Sequence, residues 1–397
     1  MEELLEISQQ KIAAVTHRFK RYLFYKINWN NRLIGIKGAR GTGKTTLLLQ
    51  WLKEQNLSPG EAAYLSLDEL YFTHHTLLES ARNFYQQGGK ILVLDEVHKY
   101  PTWAQEIKNL YDRYADLRIV FTGSSIIDIS RQEGDLSRRA LLYELKGLSY
   151  REYLNLVHQH TFPTITLQQL LSSAFTLKEH FPDAFKPLAY FQDYLRFGYY
   201  PFSTTARLSY YTRLRQLVRT VVEFDMAELK GFDIRHAKKM LQLLYVVAQQ
   251  VPFKPNINSL AGKTGIHRNS INNYLYFLSE ARMLHLLSKK GISVAILQKP
   301  EKILLENTNL LYALAETEPE SGTVREVFFG NQLHGLHTVH YSDTADFEID
   351  NTYSFEVGGR NKGLKQLAGM KDAWTVKDNL EYPAGKSFPL WIFGFLY

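Results

Sequence analysis

The stretch Gly38-Ala39-Arg40-Gly41-Thr42-Gly43-Lys44-Thr45 restricts what this chain can fold into more than any other feature. It satisfies G-x-x-x-x-G-K-[ST] in full, following the apolar run Leu33-Ile34-Gly35-Ile36 and opening a helix-forming stretch at Lys44. Such a loop works only between a strand and a helix. Its successive backbone N–H groups must turn inward on an anion, and the helix N-terminus adds the positive end of its dipole. Glycines 38, 41 and 43 permit the curl. Lys44 is then expected to reach the β- and γ-phosphates of a nucleoside triphosphate, and Thr45 to hold Mg²⁺ through its hydroxyl. The expected binding set is Gly38, Ala39, Arg40, Gly41, Thr42, Gly43, Lys44, Thr45 and Thr46, with Thr45 and a strand-end aspartate on the metal.

That aspartate is supplied by Ile91-Leu92-Val93-Leu94-Asp95-Glu96. Asp95 is the metal-side carboxylate, and Glu96 stands where a carboxylate can orient and deprotonate an attacking water, so hydrolysis is expected as well as binding. Apolar runs at 33–36, 63–67, 91–94 and 118–121, separated by helical stretches, predict an α/β core with a parallel sheet covered on both faces. Past the last run comes Thr122-Gly123-Ser124-Ser125. Ser124 is a candidate contact to the γ-phosphate or the water; a helix N-cap is its other use. Arg138 or Arg139 is a candidate arginine finger acting in trans from a neighbouring subunit of a homo-oligomer, the alternative being a local ion pair. No Asn/Thr-Lys-x-Asp motif for guanine is present, which points to ATP.

A chain of 397 residues exceeds the usual size of one hydrophobic core. Four segments are expected: the ATPase core over 1–150, a helical lid over 151–235, a winged helix-turn-helix over 236–322, and a small α/β domain over 323–397. The lid is rich in Leu, Phe, Tyr and Gln, with a fixed turn at Phe197-Gly198-Tyr199-Tyr200-Pro201-Phe202. The third segment predicts three short helices followed by strands at 284–287 and 302–305. Within it, Arg268, Asn269, Asn272 and Asn273 form the polar face of a candidate recognition helix, with Ile271, Leu275 and Leu278 inward and Lys289 and Lys290 at the wing. Duplex DNA is the partner this implies, through residues 254–290. The last segment predicts a helix opening near Arg325, strands around 347–349 and 353–357, a helix near Leu364, and a buried strand at 390–397.

Bulk composition decides little beyond this. The formal charge of +7 is spread thinly, the most basic segment being 231–322 with 11 basic and 7 acidic residues. No Cys is present, so disulfides, thiolate zinc sites and a Cys nucleophile are excluded. No apolar run nears the roughly 18 residues that span a bilayer and no secretory leader is evident, so no membrane association and a cytoplasmic location are expected.

With these elements in hand, the chain resembles the prokaryotic AAA-type ATPases that carry a C-terminal domain of unknown function. The residues behind the resemblance are the phosphate loop, Leu94-Asp95-Glu96-Val97-His98-Lys99-Tyr100-Pro101 with Trp103, and Phe121-Thr122-Gly123-Ser124-Ser125. Asp135-Leu136-Ser137-Arg138-Arg139-Ala140, Gly147-Leu148-Ser149-Tyr150-Arg151-Glu152-Tyr153 and Glu356-Val357-Gly358-Gly359-Arg360-Asn361-Lys362 complete it. The resemblance implies a P-loop core with its catalytic glutamate beside the metal-side aspartate, then a winged helix and a restriction-endonuclease-like domain. Glu326, Asp346 and Glu356 resemble the acids of such nucleases, but Gly358 stands where the lysine belongs, with Arg360 and Lys362 displaced. The expectation is an ATPase with DNA associated through the winged helix. The alternatives are a switch NTPase whose C-terminal domains bind a protein, and, less favoured, an ATP-gated nuclease.

Overall fold

Four apolar runs become adjacent strands because each is buried on both faces of one sheet. They are β1 (Leu33–Gly38), β2 (Ala62–Ser66), β3 (Ile91–Asp95) and β4 (Arg118–Ser124). All pair in parallel in the order β2-β3-β4-β1-β5, and every residue of β3 is buried. The fifth strand, β5 (Leu141–Glu144), was not anticipated. It is a half-exposed edge strand on β1, and its apolar run Leu141-Leu142-Tyr143, set between Arg139 and Glu144, is too short to announce a strand. This computed structural model describes residues 2–124, 136, 138–172, 175–226, 234–290, 299–359 and 369–397.

The register brings the functional ends together. Gly38 lies opposite Ser124 and Leu94 opposite Phe121, so the loop after β1 and the carboxylates after β3 emerge at the same end of the sheet, on either side of β4. After α1 (Glu2–Ala14) and α2 (Tyr22–Lys26), helices α3 (Lys44–Glu54), α4 (Leu77–Gln86) and α5 (Trp103–Arg113) supply Leu47, Leu48, Leu77, Ala81, Phe84, Ile107 and Leu110 to the buried core. Each such large apolar side chain stabilises the fold by about 1.5–3 kcal/mol before conformational entropy is counted. The exposed edge of β2 is covered by the N-terminal helix Glu2–Ala14, whose buried Ser8 Oγ accepts the Tyr64 N–H at 2.8 Å.

The chain divides into two compact units, the first ending at Gly147 and the second beginning at Leu148. The second unit holds the segment after Leu148, the three-helix segment and the last segment. In the second unit the tight turn at Gly198 to Phe202 is fixed by aromatic packing among Tyr199, Tyr200, Phe202 and Tyr210. Helices Ala237–Ala248, Ile257–Thr264 and Arg268–Glu280 follow, then the antiparallel pair β6 (Leu284–Leu287) and β7 (Lys302–Leu305).

Helix Ser321–Leu333 leads into a mixed sheet of order β12-β11-β10-β9-β8, made of β8 (Val339–His340), β9 (Phe347–Ile349), β10 (Tyr353–Gly358), β11 (Ala373–Lys377) and β12 (Ser387–Pro389). One expectation fails here: Leu390–Phe395 is a 3-10 helix, not a strand. The segment is buried on all sides, so its apolar residues carry no period to separate the two forms. Arg360, Lys362 and the start of the helix expected near Leu364 lie outside the described residues. Among the described residues no helix is long and apolar enough to cross a membrane.

Candidate nucleotide site

The loop from β1 to α3 is shaped by backbone that only glycine tolerates. A Cβ on Gly38 would sit 2.3 Å from the Leu145 carbonyl oxygen, and Gly43, the residue before α3, has φ of 95°. Lys44 is buried, with its ammonium donating to the Gly38 and Ala39 carbonyls at 2.9 and 3.1 Å. Thr42 Oγ1 donates to the Ala39 carbonyl at 2.8 Å, while Thr46 is exposed in the first turn of α3. Arg40 is half-buried and Gly41 exposed, with φ of 80°.

A residue outside the motif holds the loop's frame. The buried Arg21 donates to the Thr42 carbonyl and, at 2.7 and 2.8 Å, to the carbonyls of Lys146 and Gly147. It therefore ties the loop to the chain after β5. Nothing in the sequence around Arg21 signals this, because among the neighbouring basic residues Arg18 and Lys20 it has no spacing to single it out.

Asp95 is the centre of the site. Only 2% exposed, its Oδ2 accepts Thr45 Oγ1 at 2.6 Å and Tyr64 Oη at 2.7 Å. Its Oδ1 accepts the Thr122 hydroxyl and the Glu96 N–H at 3.1 Å. Burial, followed by the charge of Asp95, pushes the Tyr64 phenol far above its ordinary value, so it stays a donor. Tyr64 was missed in the sequence because it reads as strand core, and Thr122 because Ser124 competes with it as the hydroxyl at the strand's end; only the register of β2, β3 and β4 aims both at one carboxylate.

Glu96 adopts the left-handed conformation, with φ of 52°, and turns the chain sharply after β3. That conformation is strained for any residue but glycine, at a cost of about 1 kcal/mol or more. The turn leaves the Glu96 carboxylate half-exposed and places its Oε2 3.3 Å from Nε2 of the largely buried His98.

Of the remaining candidates, Ser124 ends β4 beside Gly38, but its side chain and Ser125 lie outside the described residues, as do Asp135 and Ser137. Arg138 is exposed. Arg139 grips Asp112 of α5 with two hydrogen bonds of 2.9 and 3.1 Å, the local ion pair that competes with a role in trans.

In the second unit, Arg268, Asn269 and Asn273 are exposed and Asn272 half-buried, while Ile271, Leu275 and Leu278 are buried, as the helical spacing requires. From residue 234 to residue 279 the chain carries Arg235, Lys238, Lys239, Lys254, Lys263 and Arg268 and no acidic residue. Lys289 and Lys290 are less available than expected. Lys289 pairs with Asp343 at 2.6 Å; Lys290 pairs with Glu348 at 3.2 Å and donates to the Asn351 carbonyl at 2.7 Å.

The three acids of the last segment stand on the elements expected. Glu326 lies on the helix Ser321–Leu333, Asp346 just before β9, and Glu356 on β10. Lys302 of β7 forms an ion pair with Glu326 and lines, with Tyr341, Asp343, Asp346 and Glu356, a cavity of about 410 Å³. A lysine thus reaches this cluster from a strand that precedes the acids rather than from position 358. Asp346 Oδ2 accepts the Val357 N–H at 2.8 Å, and among the described residues no three His, Cys, Asp or Glu side chains are grouped to hold a metal ion.

Comparison with known proteins agrees with the loop. Residues 30–154 match the family described as AAA domain, and residues 188–321 match a domain of unknown function, DUF8612. An uncharacterized protein of Methanocaldococcus jannaschii is 28% identical over 293 residues, 70% of this chain; the chain spans 61% of that protein's length. Among solved structures, AMPPCP-bound DnaA from Aquifex aeolicus aligns at 16% identity over 65% of this chain and 84% of that one, with a TM-score of 0.29. The S. cerevisiae Hsp104-ADP complex aligns at 11% identity over 70% of this chain and 40% of that one, with a TM-score of 0.33.

Proposed function

We propose that the AAA-type domain of this chain binds ATP with Mg²⁺ and hydrolyses it, and that the second unit couples this cycle to duplex DNA. The observation that carries hydrolysis is the hydrogen bond from Thr45 to Asp95, with Glu96 as the next residue. A loop hydroxyl and a buried carboxylate meet where a phosphate-bound cation is held, and a second carboxylate follows directly.

The fit to Mg²⁺ rests on that donor set: Thr45 and Asp95 are hard oxygen ligands at the foot of the phosphate loop. When bound, the ion neutralises charge on the phosphate oxygens. The chain's own groups do the rest. Loop N–H groups cradle the phosphates, and Lys44 exchanges the Gly38 and Ala39 carbonyls for phosphate oxygens. Glu96 orients the water and accepts its proton. Arg138, exposed and outside the Asp112 pair, is the better placed of the two arginines to act on a neighbouring subunit.

For DNA, the support is the acid-free run of residues 234–279 and the exposed Arg268, Asn269 and Asn273 on the third helix of a winged-helix order. The test measures ATP turnover with and without duplex, together with a salt titration of binding. No binding at about 50 mM salt would sink the DNA reading; no turnover in the wild type, with Lys44→Ala as background, would sink the ATPase reading.

One observation favours the second reading, a switch NTPase whose second unit binds a protein. The wing lysines are already paired with Asp343 and Glu348, which leaves fewer cations for phosphates. Under it, Glu96→Gln traps a nucleotide-bound oligomer that recruits protein and ignores DNA. The ATP-gated nuclease is the weakest reading, since Lys302 is bound to Glu326.

A further inference from the structure

A carboxylate offers about four acceptor directions, and Asp95 has all of them met by its own chain. Thr45 Oγ1 and Tyr64 Oη share Oδ2, while the Thr122 hydroxyl and the Glu96 N–H share Oδ1. Two of these donors follow from sequence, Thr45 in the phosphate loop and Glu96 as the next residue, while Thr122 and Tyr64 come from β4 and β2, the strands on either side of β3. Tyr64 is different. It reaches in from the edge strand β2, only 5% exposed, with its own N–H fixed by Ser8 Oγ at 2.8 Å. A rigid phenol placed this way cannot turn aside as a threonine hydroxyl can.

We propose that Tyr64 is a positioning residue that sets the divalent-cation affinity of the site, by donating to the Asp95 oxygen that Thr45 also uses. The inference rests on reading this loop as a Mg²⁺-nucleotide site. A donor on a carboxylate disperses its negative charge, so the phenol weakens the attraction of Asp95 for a cation and occupies a direction that a cation-bound water would take. It keeps Asp95 aimed at Thr45 while holding the cation loosely enough to leave with the product. Removing the hydroxyl alone should therefore tighten cation binding. A merely structural tyrosine predicts the opposite sign, since a loosened site binds everything more weakly.

The experiment compares the full-length wild type with Tyr64→Phe and Tyr64→Leu. Mn²⁺ binding is followed by electron paramagnetic resonance in the presence of a non-hydrolysable ATP analogue, and analogue binding is measured in EDTA. The expected result is a Kd for Mn²⁺ lowered about threefold to tenfold in both variants, the range of one net hydrogen bond. Analogue affinity in EDTA should stay within about twofold, and the half-saturating Mg²⁺ for turnover should fall with kcat. An unchanged or raised Kd for Mn²⁺ in folded Tyr64→Phe overturns the proposal and leaves the nucleotide reading intact. Absence of analogue binding in the wild type, with and without cation, overturns both. Agreement between Phe and Leu separates loss of the hydroxyl from loss of ring packing.

Discussion

Replacing Arg21 by methionine keeps most of its length and apolar volume and removes only the guanidinium. Three backbone carbonyls, those of Thr42, Lys146 and Gly147, then lose a charged donor in a buried place. A hydrogen bond from a charged group contributes about 1.5–3 kcal/mol net, and three on one side chain add less than linearly. Weighing the two gives about 3–4 kcal/mol. For a unit the size of residues 1–147, each kcal/mol moves the midpoint by about 2–4 °C, so Tm should fall by about 10 °C.

The assay is differential scanning calorimetry with and without ATP, the first unit's transition being the one that ATP shifts. ATP at a hundred times Kd adds about 2.7 kcal/mol to whichever state binds it. The variant should keep that protection but need more nucleotide to reach it, with Kd raised about tenfold because the Thr42 carbonyl no longer anchors the loop. Arg21→Lys, with one ammonium for three carbonyls, should fall between. A Tm within about 2 °C of wild type together with an unchanged Kd would refute the reasoning, by showing that water replaces the guanidinium at no cost.

Lys44→Ala should weaken ATP binding by about a hundredfold or more, read by a fluorescent nucleotide, since it removes the loop's only ammonium. Glu96→Gln should bind ATP normally and hydrolyse it about 10²–10⁴-fold more slowly in a single-turnover assay; unchanged turnover would remove Glu96 from the chemistry. Arg138→Ala should lower turnover about 10³-fold only at concentrations where the chain assembles, whereas Arg139→Ala should mainly release Asp112 and shift Tm slightly. The pH dependence of the second unit has a definite sign. Burial lowers the pKa of His158, helped by the charge of His160, and burial alone lowers that of His160. The unfolded chain therefore takes up protons first as pH falls through the ordinary value of 6.5, so stability held above it is lost below it. Melting at pH 7.5 and 5.5 should show the loss, and His158→Gln with His160→Gln should flatten it.

What could be read in advance and what could not divides along physical lines. The strands at 33–38, 62–66, 91–95 and 118–124 are buried on both faces, so an unbroken apolar run marks each. The edge strand Leu141–Glu144 is partly exposed and leaves only the run Leu141-Leu142-Tyr143, too short to stand out. The buried segment Leu390–Phe395 fails for the opposite reason: apolar everywhere, it has no face to reveal whether it is strand or helix.

The same division runs through the site. Gly38 to Thr45, Asp95 and Glu96 were legible because their chemistry depends on neighbours in sequence, where spacing is visible. Arg21, Tyr64 and Thr122 act on partners between 21 and 126 residues away, and Lys302, in the acid cluster of the second unit, is likewise distant from Glu326 in sequence. Such residues have ordinary alternative uses in a core or on a surface, and only the sheet register decides among them. That Tyr64 and Thr122 meet on Asp95 follows from β3 lying between β2 and β4, a fact of topology that no local pattern encodes. The support of this site is therefore least predictable where it is most distant along the chain. Substitutions at Arg21 and Tyr64 test the tertiary argument, whereas those at Lys44 and Glu96 test the motif.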